Sequence, residues 1–304
     1  MSFEKYDLSK LENVRRVGNK IICGCCACIQ EGKDHDRTNM VIFSNGAFGC
    51  ITHEGDKEHN RQIYNYLYRG EDFEIEEQEE FIYRGTKLKY YPEELLQKLI
   101  PDYNYWINRG IPPQIVSQFD GGLASKDEKG KLQGRYVFAI RNKDDKIVGW
   151  AGRLIEYSNF SPKWKNIGNK KQFIFPARKL SEQYIKEKKQ VVVLESVGDA
   201  LSCYKYGIKN IIVLFGVVPS SQLISYIISL GVKEIIISTN NDSAKNNVGN
   251  EAAEKIKRRL SLFFNSEGIK IILPSKKDWN ESDEQEILEF KKKLEVLQNG
   301  GKVE

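Results

Sequence analysis

From Gln190 onward the chain alternates apolar, β-branched runs with helical segments. The runs are Val191-Val192-Val193-Leu194, Ile211-Ile212-Val213-Leu214-Phe215, Ile235-Ile236-Ile237 and Ile269–Leu273, and the segments between them carry amphipathic spacing, as in EAAEKIKRRLSLFF. Strands of this composition separated by crossover helices predict a parallel sheet, buried on both faces. Such sheets bind ligands at the carboxyl ends of their strands. The residues just beyond those ends are therefore the first place to look for chemistry.

Carboxylates stand there repeatedly. Glu195 follows the first strand and Asp199 falls in the first turn of the next helix, after Gly198. Asp242 follows the third strand through Ser238-Thr239-Asn240-Asn241, and Asp278 follows the fourth. Each acid alone reads as a helix cap. Together they predict a negative cluster suited to a hard dication, Mg²⁺ or Mn²⁺, bound through oxygen.

Five of the six cysteines lie between Cys23 and Cys50, and Cys203 stands apart in an apolar helix. Clustered thiols with nearby histidines predict a zinc ribbon, since zinc takes four Cys or His ligands and a Cys-x2-Cys turn supplies two. Two overlapping pairs qualify, Cys23 with Cys26 or Cys25 with Cys28. Cys50 supplies the third ligand, and either His53 or His59 completes the set. Cys203 reads as an inert buried thiol, and His35 as an exposed turn residue.

The 304 residues are 40% hydrophobic, enough for a core, and the longest apolar runs are far too short to span a membrane. With no signal-peptide pattern at Met1, the expectation is an intracellular, cytoplasmic protein without a membrane partner. Composition divides the chain into a Cys- and His-rich module over 1–69, an acidic linker over 70–90, a basic segment over 91–189 and the α/β segment over 190–304. In the middle segment YPEELLQKLI and PDYNYWINRGIPPQIVSQF predict two short helices. GRYVFAIRNKDDKIVGWAGRLIEY predicts a hairpin. Residues 131–179 hold twelve Lys or Arg against three acids, a local charge of +9 in a chain whose net charge is +5. A basic surface beside a carboxylate cluster suits a metal-dependent protein that handles a polyanion.

Glu195-Ser196-Val197-Gly198-Asp199, Asn240-Asn241-Asp242, LPSKKDWNE around Asp278, YWINRGI and SPKWKN together resemble the DNA primases of bacterial and phage type. The resemblance covers nearly the whole chain. It departs where Ser196 replaces a glycine after the glutamate, and where Asn240 replaces the first aspartate of an Asp-x-Asp motif. It implies an α/β fold in which a zinc ribbon precedes a primase core with a topoisomerase-primase (TOPRIM) parallel-sheet subdomain. It also implies synthesis of short RNA primers on a single-stranded DNA template from nucleoside triphosphates during replication. Structural Zn²⁺ would sit on Cys25, Cys28, Cys50 and His59, with His53 as the alternative to His59. Catalytic Mg²⁺ or Mn²⁺ would sit on Asp199, Asp242 and Asp278, with Glu195 as general base or ligand. Arg135, Arg153, Lys163 and Lys165 are the candidates for nucleotide and nucleic-acid phosphates, and the ribbon would help select the start site from its flexible tether. No G-x4-G-K-[ST] loop occurs, so a helicase would be a separate partner. The compact chain suits a phage or mobile element in a bacterial cytoplasm. A noncatalytic single-stranded-DNA-binding replication protein and a TOPRIM nuclease are the competing readings.

Overall fold

A computed structural model describes residues 6–44, 46–54, 56–69, 89–125, 130–156, 160–216, 218–241 and 248–301. Asp242 and the acidic stretch 70–88 lie outside the described residues. None of the described helices is long and apolar enough to cross a membrane.

The N-terminal module is a four-stranded antiparallel sheet in sequential order, with β1 (Arg15–Val17), β2 (Lys20–Cys23), β3 (Met40–Phe43) and β4 (Phe48–Cys50). Helix α1 (Cys26–Gln30) follows β2, and α2 (Lys57–Arg69) follows β4. Gly18, at φ +59°, opens the two-residue turn between β1 and β2, a conformation that costs glycine little. Alternation along β2 and β3 sends side chains to two different cores. Ile21, Cys23, Met40 and Ile42 pack inside the module with Ile63 of α2, whereas Ile22 and Val41 face outward, joined by Ile51, into a core formed mainly by the C-terminal domain. The ribbon is therefore docked on that domain, in contrast to the loosely tethered module expected from sequence. The buried Ser225 hydroxyl donates to Asn39 Oδ1 at 2.6 Å, Arg259 makes a two-point ion pair with Glu54, and Lys20 donates to the Ser261 carbonyl.

In the middle of the chain YPEELLQKLI contributes a 3₁₀ stretch, Glu93–Lys98, and the second expected helix is split. α3 (Asn104–Ile107) and α4 (Pro113–Val116) are single turns, because Gly110 adopts φ +74° and Pro112 cannot continue a helix across the break. An antiparallel sheet follows, made of β5 (Gly121–Leu123), β6 (Arg135–Arg141), β7 (Ile147–Leu154) and β8 (Trp164–Gly168). β6 and β7 form the expected hairpin. Its turn is held by the Asn142 side chain, which accepts from the backbone of Asp144 and Lys146 at 3.0 and 2.9 Å.

The C-terminal domain runs α5 (Arg178–Lys188), β9 (Gln190–Leu194), α6 (Val197–Lys205), β10 (Ile211–Val213), α7 (Ser221–Ser229), β11 (Glu234–Ile237), α8 (Val248–Leu260), β12 (Ile269–Ile271) and α9 (Glu284–Gln298). All pairings are parallel, in the order β10-β9-β11-β12. Because β10 and β11 flank β9 on opposite sides, the winding reverses at β9, and a crevice opens beyond the ends of β9 and β11. Val192 and Leu194 bury one face of β9 against α6, α9 and the aromatic face of the middle sheet, including Tyr136 and Phe138. Val191 and Val193 bury the other face against α7 and α8.

Candidate functional site: a thiol cluster and a carboxylate crevice

Cys25 caps α1, Cys28 lies within it, Cys50 ends β4 and His59 falls in the first turn of α2. Their ligand atoms are buried and lie within 4.8 Å of one another. Cys28 Sγ is 3.6 Å from Cys50 Sγ, and His59 Nε2 is 3.3 and 3.5 Å from the sulfurs of Cys25 and Cys28. Bonds of about 2.3 Å to sulfur and about 2.0 Å to nitrogen give tetrahedral edges of roughly 3.5–3.8 Å. The spacing fits one tetrahedral ion. Of the two overlapping knuckles it selects Cys25 and Cys28, and leaves Cys23 and Cys26 as buried thiols outside the group. His53 stacks on His59 with ring centroids 4.0 Å apart, and its Nδ1 lies 3.4 and 3.5 Å from the sulfurs of Cys28 and Cys50. Hydrogen bonds from Cys25 and Cys28 hold the Cys50 thiol far below the usual thiol range. Opposite the sulfurs, the buried Asp34 carboxylate accepts from the backbone N–H groups of Cys25, Thr38 and Asn39, which fixes the knuckle to β3. Cys203 is buried and His35 is exposed.

The second centre lies at the winding reversal. Glu195 is exposed at the end of β9, and its Oε2 is 3.4 Å from the backbone nitrogen of Asn240 beyond β11. Asp199 is 2% exposed, in the first turn of α6. Its Oδ2 accepts from the hydroxyl and backbone N–H of Ser196, and its buried Oδ1 has no hydrogen-bond partner among the described residues. Burial and the charges of Asp278 and Glu195 push its pKa up to about 7, against the pull of the Ser196 hydrogen bonds. Asp278 is also raised, by burial and then by Glu281, with Lys277 and Arg109 among the charges that oppose the rise. Glu195 and Asp278 thus both act electrostatically on Asp199 at the winding reversal, although among the described residues only the thiol group brings three or more candidate ligand atoms within 4.8 Å of one another. An orphaned buried carboxylate oxygen among like charges fits a hard cation bound through oxygen.

Segment 274–281 is tied to the end of β11. Asn241 donates to the Pro274 carbonyl at 2.8 Å, and Trp279 stacks on Phe290 at 4.3 Å while its Nε1 donates to Ser238 Oγ at 3.0 Å. Replacing Trp279 by Ala should cost about 3–5 kcal/mol, read from urea unfolding, because a fully packed indole and a buried hydrogen bond are lost together. The pKa of Asp199 supplies a second prediction. An acid raised in the folded state binds more protons folded than unfolded, so stability falls as pH rises from about 4 to about 7, by up to about 4 kcal/mol. In metal-free protein the stability gap between Asp199→Asn and the native chain should widen over that window, as followed by unfolding at stepped pH.

The basic candidates do not form a single wall. Arg135 is 4% exposed, and its Nη1 donates to the carbonyls of Gly152, Pro162 and Lys163, so its guanidinium holds strand edges together. This corrects the expectation of a phosphate ligand there. Pairing puts Arg153 opposite Trp164 and Lys165 opposite Gly152, so Arg153 and Lys165 project from opposite faces of the sheet, while Lys163 is exposed ahead of β8. Arg153 donates to Tyr105 Oη at 2.7 Å and lies 5.5 Å from the Trp164 ring. Arg109 lies 5.7 Å from the Tyr105 ring and acts electrostatically on Asp278. Sequence reasoning had YWINRGI as a landmark and missed Arg109 and Tyr105 as site residues. Their signal is a tertiary one, since Arg109 reaches Asp278 electrostatically and Tyr105 reaches Arg153 across 48 positions of the chain.

A Toprim-like family model matches residues 192–282, from β9 through the Trp279 segment. The DNA primase of Staphylococcus aureus is 27% identical over 157 residues, covering 48% of this chain and 25% of the relative. The DNA primase of Staphylococcus epidermidis is 24% identical over 123 residues, covering 37% and 20%. These matches span about a quarter or less of the relatives' length. Among solved structures, the zinc-binding and RNA polymerase domains of the Aquifex aeolicus primase superpose with a TM-score of 0.53 at 18% identity, covering 97% of this chain and 82% of that one. A DnaG primase catalytic domain bound to single-stranded DNA gives 0.53 at 18%, covering 67% and 72%. A cysteine-rich ribbon, an antiparallel basic sheet and a parallel sheet matched by the Toprim-like model thus follow one another, and in fold the chain resembles bacterial DNA primases.

Proposed function

We propose that the chain is a primase that makes short RNA primers on single-stranded DNA by nucleotidyl transfer from nucleoside triphosphates during replication. The observation that carries this reading is the Asp199 carboxylate, buried with one oxygen unpartnered, between Asp278 and Glu195 at the winding reversal. Asp199 and Asp278, with Asp242, would hold Mg²⁺ or Mn²⁺, which supplies neutralisation of phosphate charge and activation of a ribose hydroxyl. Glu195, exposed at the strand tip, takes the hydroxyl proton or joins the ligands. Arg153 and Arg109, gathered on Tyr105 and Trp164, receive phosphate and a stacked base. Lys163 and Lys165 meet the template further out.

Cys25, Cys28, Cys50 and His59 hold structural Zn²⁺. The domain organisation is a ribbon over 1–69, an acidic connection over 70–90, a basic subdomain over 91–189 and a Toprim subdomain over 190–304, acting in the cytoplasm of a bacterial cell beside a separate helicase. Incorporation of labelled nucleotides on single-stranded DNA, with the Glu195→Gln variant as control, tests the reading. Product from the native chain and its loss in the variant support it. A second reading, a noncatalytic single-stranded-DNA-binding replication protein, is favoured by Asn240, which removes a charge from the crevice. It predicts salt-dependent DNA binding with no incorporation. Nicking of plasmid DNA would instead indicate a nuclease.

A further inference from the structure

Position 196 is where the chain departs from the glycine of the motif it resembles, and the serine there is fully engaged. It caps α6 at φ −129°, ψ 159°, and forms a reciprocal box with Asp199. The Ser196 hydroxyl donates to Asp199 Oδ2 at 2.7 Å, the Ser196 backbone N–H reaches the same oxygen at 3.2 Å, and Ser196 Oγ accepts from the Asp199 N–H at 3.3 Å. Two donors on Oδ2 and none among the described residues on buried Oδ1 make the carboxylate asymmetric. A glycine at 196 would leave Oδ2 with the backbone donor only.

We infer that Ser196 is a positioning residue that sets the cation selectivity of the crevice, by occupying Oδ2 so that Asp199 offers a cation one oxygen. The inference rests on the cation-binding reading of the crevice given above. Mg²⁺ and Mn²⁺ suit it because Mg²⁺ demands near-octahedral geometry at about 2.0–2.1 Å and is served by carboxylates contributing one oxygen each. Ca²⁺ takes about six to eight oxygens at about 2.3–2.6 Å and gains from carboxylates that give both. The hydroxyl of Ser196 therefore works against the larger ion.

The test uses the full chain with its ribbon loaded with zinc. Mn²⁺ binding is followed by electron paramagnetic resonance and displaced with Mg²⁺ or Ca²⁺, for the native chain, Ser196→Gly, Ser196→Ala and Ser196→Thr. Loss of one hydrogen bond to a charged oxygen should shift the Mg²⁺ over Ca²⁺ preference about fivefold to tenfold toward Ca²⁺ in Ser196→Gly and Ser196→Ala, while Ser196→Thr keeps it. Stability separates the two variants, since glycine is a far better helix cap than alanine. Equal selectivity despite unequal melting temperatures supports positioning, whereas selectivity that tracks stability, or that is unchanged in both, overturns it. Absence of any Mn²⁺ signal that Asp199→Asn removes overturns the crevice reading itself. Selective binding without primer synthesis leaves the Ser196 assignment standing and removes the catalytic one.

Discussion

On the proposed primase reading, Asp199→Asn should lower primer synthesis by roughly 10²–10³-fold and, at pH 7 and above in metal-free protein, should raise the melting temperature. The two effects have one cause. The native carboxylate is buried, has like charges at Asp278 and Glu195, and leaves Oδ1 unpartnered, so its ionised form costs the fold free energy. An amide of the same shape removes that cost, and with it the oxygen charge that a dication needs. Initial rates of nucleotide incorporation at saturating Mg²⁺ and thermal unfolding of the same preparations check both halves. A variant that is both less stable and fully active contradicts the assignment of Asp199 to the reacting centre. Trading stability for a strained, charged crevice is common at active sites.

Stripping the ribbon with a strong chelator is the second large effect. Structural zinc sites contribute on the order of 10–16 kcal/mol in isolated zinc-finger peptides. The N-terminal module has a small core of its own, in which Cys25, Cys28 and Cys50 are themselves members. On the zinc reading, three buried sulfurs and His59 would be left crowded with nothing between them, and β4 would lose its anchor. The same segment carries the docking contacts, because Ile51 follows Cys50 directly and Glu54 follows His53. Chelation should therefore expose the five cysteines between Cys23 and Cys50 to a thiol reagent, and release the module from α7 and α8 as a protease-sensitive piece. Cys203, on the buried α6 and in the core shared with β9, should stay unreactive until the whole chain unfolds. Reactivity of all six thiols at one rate would mean that the chain unfolds as a single unit and that the metal supports the whole of it.

Much of the fold was legible because its signals are local. Val191–Leu194, Ile211–Val213, Ile235–Ile237 and Ile269–Ile271 appear as strands, all parallel, since a run of β-branched residues bounded by helices has few other ways to bury itself. The hairpin of β6 and β7 was equally clear, its turn written in Asn142 and Asp145. YPEELLQKLI and the segment after it form short helices, as expected, but the first is the 3₁₀ stretch Glu93–Lys98 rather than an α-helix. In the second segment the punctuation by Gly110 and the Pro112-Pro113 pair divides the helix into two single turns. Arg135 was misjudged. Its charge predicts a surface, yet three backbone carbonyls at the edge of β7 and before β8 supply enough acceptors to bury it.

What the sequence by itself determined is the set of chemical groups and the order of the strands that carry them: thiols at knuckle spacing, acids after strands, and a parallel sheet between helices. What only the tertiary structure decided is which of those groups meet. Docking the ribbon through Ile22 and Val41, enclosing Arg135 and bringing Arg109 to Asp278 all depend on contacts between residues distant in the chain. Local propensity reads neighbours along the backbone, whereas burial and electrostatic coupling are set by neighbours in space.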